Sequence, residues 1–100
     1  MAATIDIGTL ITRDPKIRGG QPIIAGTGVT VRRIVRWYRM GEDPEQIADH
    51  YGHVALAQVH AALAYYHANQ RQVDAGIAAE EAEEERLERE WYEQRAKAQP

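Results

Sequence analysis

Apolar residues in the first third of the chain fall in short β-branched runs, whereas from residue 31 onward they return every three or four positions. The first pattern belongs to strands and the second to helices. The stretch from Gly19 to Val31 is the most densely punctuated, with four glycines and one proline around Ile23 and Ile24. It predicts a hairpin arm leading into a helix, with a partner strand near Leu10–Arg13 that the Asp14-Pro15 turn closes. Thr30 stands where an N-cap belongs, so a first helix begins there and places Val31, Ile34, Val35 and Tyr38 on one face. Gly41 suits its left-handed C-terminal position. Asp43-Pro44-Glu45-Gln46 carries the marks of a capping box with proline at the first helical position, and opens a second helix of about two turns. A third begins near Ala55, with Leu56, Val59, Ala62, Leu63 and Tyr66 on its core face. A short helix between two others fits a helix-turn-helix.

The three-four spacing does not stop there. Leu56, Val59, Leu63, Tyr66, Gln70, Val73, Ile77, Glu80, Glu84, Leu87 and Trp91 form one seam, interrupted by Gln70, Glu80 and Glu84. An unbroken helix from Ala55 to Lys97 would reach roughly 60 Å, further than a domain of this size, and would need a partner. Pairs such as Glu85 with Arg89 and Glu93 with Lys97 favour helix in this tail. The fold expected is therefore mainly α: an N-terminal β-hairpin, a three-helix helix-turn-helix and a long C-terminal helix. Residues 1–75 form the domain and residues 76–100 an acidic helical extension.

Charge adds a division. The net charge is −3, but residues 1–40 sum to +5, residues 41–75 to −4 and residues 76–100 to −4. A basic front and an acidic tail suit two different partners, or else neutralise each other within or between chains. Cysteine is absent, and no apolar run is long enough to cross a bilayer. Together with the lack of a signal-like start, this predicts a cytoplasmic protein without a membrane partner.

The chemistry-bearing residues point to binding. Arg32, Arg36 and Arg39 make a basic stripe, and Arg13, Lys16 and Arg18 lie on the hairpin; either set suits DNA phosphates. The third helix would be the recognition helix, yet its base readers are only Gln58 and His60. In the tail, Leu87, Trp91 and Tyr92 suit an apolar groove on a partner, while Arg86, Arg89 and Arg95 could reach an acidic site there. His50, His53, His60 and His67 converge on no clear carboxylate, so no metal or other cofactor is expected. With no serine, nucleophile elbow or phosphate-binding loop, no enzyme is expected either.

Asp14-Pro15, Gly19-Gly20-Gln21-Pro22-Ile23-Ile24, Gly26-Thr27, Val31, Gly41-Glu42, Pro44-Glu45-Gln46-Ile47, Tyr51, Val59 and Ala61–Tyr66 resemble a small prokaryotic family called domain of unknown function 433. The resemblance spans Ile11–Tyr66. It implies a hairpin followed by a homeodomain-like helix-turn-helix, and an antitoxin-like role beside PIN-like ribonuclease toxins. This chain has Gly28 where the family usually has arginine, Gly52 where it has proline, and Ala55 where it has threonine or serine. The expected function is an antitoxin, a homodimer or higher oligomer, that inhibits a cognate ribonuclease toxin through its C-terminal helix and regulates its own operator DNA. The alternative is a dimeric scaffolding module or a stand-alone DNA-binding regulator.

Overall fold

The computed structural model describes residues 3–98. Two short strands, β1 (Ile11–Thr12) and β2 (Ile23–Ile24), pair antiparallel with Ile11 opposite Ile24 and Thr12 opposite Ile23. β2 also meets the chain that follows it: Ile24 N–H donates to Val29 O at 2.9 Å and Val31 N–H to Pro22 O at 3.0 Å. The β2 backbone is thus bonded on both sides, and Ile23 and Ile24 are buried. That arrangement delivers the chain into α1 (Val31–Arg39), capped by Thr30, whose hydroxyl accepts from Arg33 N–H at 3.0 Å.

Met40 ends α1, and Gly41 follows at φ 93°, the left-handed position that glycine occupies without a Cβ clash. α2 (Pro44–Asp49) carries the full capping box: Gln46 N–H donates to Asp43 Oδ1 at 2.8 Å, and Asp43 N–H to Gln46 Oε1 at 2.9 Å. α3 (Leu56–Ala68) starts at Ala55, which has no side-chain oxygen. Gln58 serves that end instead, accepting from Ala55 N–H at 2.8 Å.

The seam then breaks. Asn69, at φ −134° and ψ 39°, separates α3 from α4 (Gln70–Ala98), so the long C-terminal helix of the expected fold is a helix distinct from α3. The turn lets the start of α4 pack on α1 and α3, with Val73 and Ile77 joining Ile34, Val35, Val59 and Leu63 in one core. The core therefore runs past residue 75, and the extension proper begins later than the expected boundary. From Glu81 to Ala98 every residue is exposed. Two residues expected in the core lie at its edge: Leu56, at the first turn of α3, and Tyr38 are both 39% exposed. Trp37 covers the core margin, donating from Nε1 to Tyr51 Oη at 2.9 Å.

Candidate functional site

Positions 32, 36 and 39 recur at helical spacing, so α1 aligns three guanidinium groups on one side. The α3–α4 turn lays α4 against that side with its carboxylates opposite. Arg32 pairs with Glu80 at 3.0 Å. Arg36 takes Glu84 bidentately at 2.8 and 3.0 Å, which holds the Glu84 carboxyl below its usual range. Arg39 pairs with Asp74, which also accepts from the Tyr66 hydroxyl at 2.9 Å, and Glu81 stands 4.0 Å from Arg39. The α1 stripe, one of the two expected sets of phosphate contacts, is thus neutralised within the chain.

Gly76 makes the first of these pairs fit. A Cβ there would lie 2.4 Å from Arg32 Nε, so the guanidinium lies against bare helix backbone on its way to Glu80.

The remaining expected DNA contacts are dispersed. Arg13 donates to Tyr65 Oη at 2.7 Å, and Arg18 Nε donates to Gly28 O at 3.1 Å. Lys16 is exposed in the β1–β2 connection. On α3, Gln58 is engaged in capping, while His60 is exposed. Among the described residues no hydrogen bond joins the hairpin cations to Gln58 or His60. The histidines also stay apart: His50 stacks on Trp37 with ring centroids 3.9 Å apart, and its Nε2 lies 2.6 Å from Glu42 Oε2. No group of three or more His, Asp or Glu that could hold a metal occurs among the described residues.

Beyond Glu84 the same α4 stripe continues without a domain beneath it. Val73, Ile77, Glu80, Glu84, Leu87 and Trp91 follow one another at four- and three-residue steps, so Leu87 and Trp91 lie in line with the side chains that face α1. Leu87, Trp91 and Tyr92 are 52%, 53% and 58% exposed. Arg95 sits over the Trp91 ring at 5.1 Å, and Tyr92 meets that ring edge-on. Arg86 bonds Glu83 and Glu90 and depresses the Glu83 carboxyl, whereas Arg89 is exposed. Among the described residues these are the ion pairs within the tail, and Glu85–Arg89 and Glu93–Lys97 are not among them.

One feature escapes the spacing argument. A cleft of about 550 Å³ opens between the β2–α1 segment, α1 and α4, with Arg18, Gln21, Arg33, Tyr51, His53 and Glu84 among its walls. Arg33 is the one α1 arginine off the stripe, which was the available signal.

Among the described residues, no helix is long and apolar enough to cross a membrane. No curated protein matches the chain. Its structure resembles the crystal structure of a DUF433 member protein from Anabaena variabilis, at 28% identity over 70% of this chain and 69% of that one, with a TM-score of 0.66. A family model matches residues 11–66, from β1 to the last turn of α3, and so the chain belongs to the family described as Protein of unknown function (DUF433).

Proposed function

We propose that the protein is the antitoxin of a toxin–antitoxin pair, acting in the cytoplasm by binding rather than catalysis. The distal half of α4 seats in a groove of a PIN-like ribonuclease toxin and inhibits it. The observation that carries this reading is the overhang: Leu87, Trp91 and Tyr92 are held on a formed helix, more than half exposed, beyond the last contact with the domain. A preformed amphipathic helix loses little conformational freedom on docking, and aromatic residues are the commonest anchors in such grooves. Arg86, Arg89 and Arg95 flank the anchors, where an acidic nuclease centre would meet them.

The operator-binding half of the proposal falls to Arg13, Lys16 and Arg18, because Arg32, Arg36 and Arg39 are engaged with α4. The test is growth rescue and co-purification with the ribonuclease encoded beside this chain. The diagnostic variant ends at Glu85, since a cut at residue 80 would also remove the partners of Arg32 and Arg36. Rescue by the full chain and none by the shortened one is the expected result. A homodimer that buries Leu87 and Trp91 and shows no affinity for the toxin would favour the scaffolding alternative.

A further inference from the structure

The cations around α1 divide into two groups. Arg32, Arg36 and Arg39 each end on a carboxylate of α4. Arg18 and Arg33 end on no carboxylate among the described residues, and both line the same cleft. Arg18 reaches it at a conformational cost. Its φ is 51°, in the left-handed region that disfavours a β-carbon, although two glycines follow immediately. A residue held in such a conformation, with its Nε anchored on Gly28 O, marks a place where side-chain position matters more than local comfort. Gln21 lines the cleft too, and its Oε1 is buried without a donor, the one such side-chain atom among the described residues.

We infer that this cleft binds the phosphate of a nucleotide-sized ester, with Arg18 and Arg33 as its two anchors. Two guanidinium forks brought from different elements suit a tetrahedral anion with three free oxygens, whereas a carboxylate is satisfied by one fork. The volume falls within the range of small-ligand sites. Tyr51, His53 and Val29 offer a wall for a flat heterocycle. Glu80 and Glu84 also line the cleft, bonded to Arg32 and Arg36, and oppose an anion beside them. The inference stands independently of the proposed α4–toxin contact, since it uses no residue beyond Glu84, and it shares Arg18 with the proposed operator contacts.

The experiment titrates the full chain with adenosine monophosphate, followed by calorimetry and backbone amide NMR shifts, with a short single-stranded oligonucleotide as a second probe. Saturable binding is expected, with shifts at residues 18–21, 28–33 and 51–53. Arg33→Gln should weaken it about tenfold, as loss of a charged hydrogen-bonding group does. Arg18→Gly should weaken it as much while leaving Tm unchanged or higher, because glycine accepts the φ that strains arginine. That separates lost binding from lost folding. Glu84→Gln should strengthen it about threefold by removing the opposing charge. Binding of the oligonucleotide alone, with the same response to all three variants, assigns the phosphate to a nucleic-acid strand. No saturable binding of either probe, or affinity indifferent to both arginine variants, overturns the inference.

Discussion

Gly76 decides how closely α4 approaches α1 at Arg32. Glycine inside a helix costs about 1 kcal/mol relative to alanine, and a half-buried surface ion pair such as Arg32–Glu80 returns about 0–1 kcal/mol. Gly76→Ala therefore recovers helix propensity while its Cβ evicts the Arg32 guanidinium. Net stability in urea should change by less than about 1 kcal/mol. The informative quantity is the coupling between Arg32 and Glu80 in a double-mutant cycle, expected in the Gly76 background and absent in the alanine one. Glu84 supplies a pH dependence of definite sign. Arg36, with Arg33 nearby, lowers its carboxyl in the folded chain. Such a group stabilises the fold above its unfolded value near 4.5 and loses that contribution as pH falls through the folded value. Thermal melts should show Tm level from pH 7 to about 5 and falling below 4.5, with a shallower fall in Glu84→Gln.

At the scale of elements, α4 depends on two buried side chains for its place. Ile77 is fully buried and Val73 nearly so, while every residue from Glu81 to Ala98 is exposed. Ile77→Ala should cost about 2–5 kcal/mol in urea unfolding, a large share of a small domain's stability. The helix starts and the end of α1 were legible because their causes are local: Thr30, Asp43 with Gln46, and Gly41 each act within a few residues. The break at Asn69 was not. No glycine or proline marks it, and the three-four seam runs through it unchanged from Leu63 to Ile77. What bends the chain is the burial of Val73 and Ile77 against helices formed far earlier in sequence. The ion pairs were half legible for the same reason. Both charge groups were plain in the sequence, but Arg32 and Glu80 lie 48 positions apart, and only the fold selects intrachain neutralisation. The cleft stayed hidden because Arg18, Gln21 and Arg33 share no spacing that a helix or strand would announce.

The whole molecule is elongated, 69 × 27 × 23 Å, with a radius of gyration of 16.8 Å against about 13 Å for a compact chain of this length. The excess is the overhang of α4, which lies outside the family match at residues 11–66. Ending the chain at Glu85 should change stability by less than about 0.5 kcal/mol, since the removed residues are exposed. Under the proposed function, the same cut should abolish neutralisation of the toxin. Trp91→Ala separates the two effects more finely. Its ring contacts only Tyr92 and Arg95 among the described aromatic and cation–π pairs, so Tm should hold while affinity for the toxin falls by about 2 kcal/mol or more.

The junction of an anchored and a free half within one helix makes α4 a lever. Its pivot is at Ile77, where the core grips it, and its free end lies about 31 Å further along the axis. A tilt of about 5° at the pivot displaces the tip by about 3 Å, roughly the difference between a seated and an unseated side chain. Glu84 sits between pivot and tip, at the rim of the cleft. If a change of charge there tilts the helix, the free end should move most, and a fluorophore pair on the hairpin and on residue 98 would register it as a change in distance.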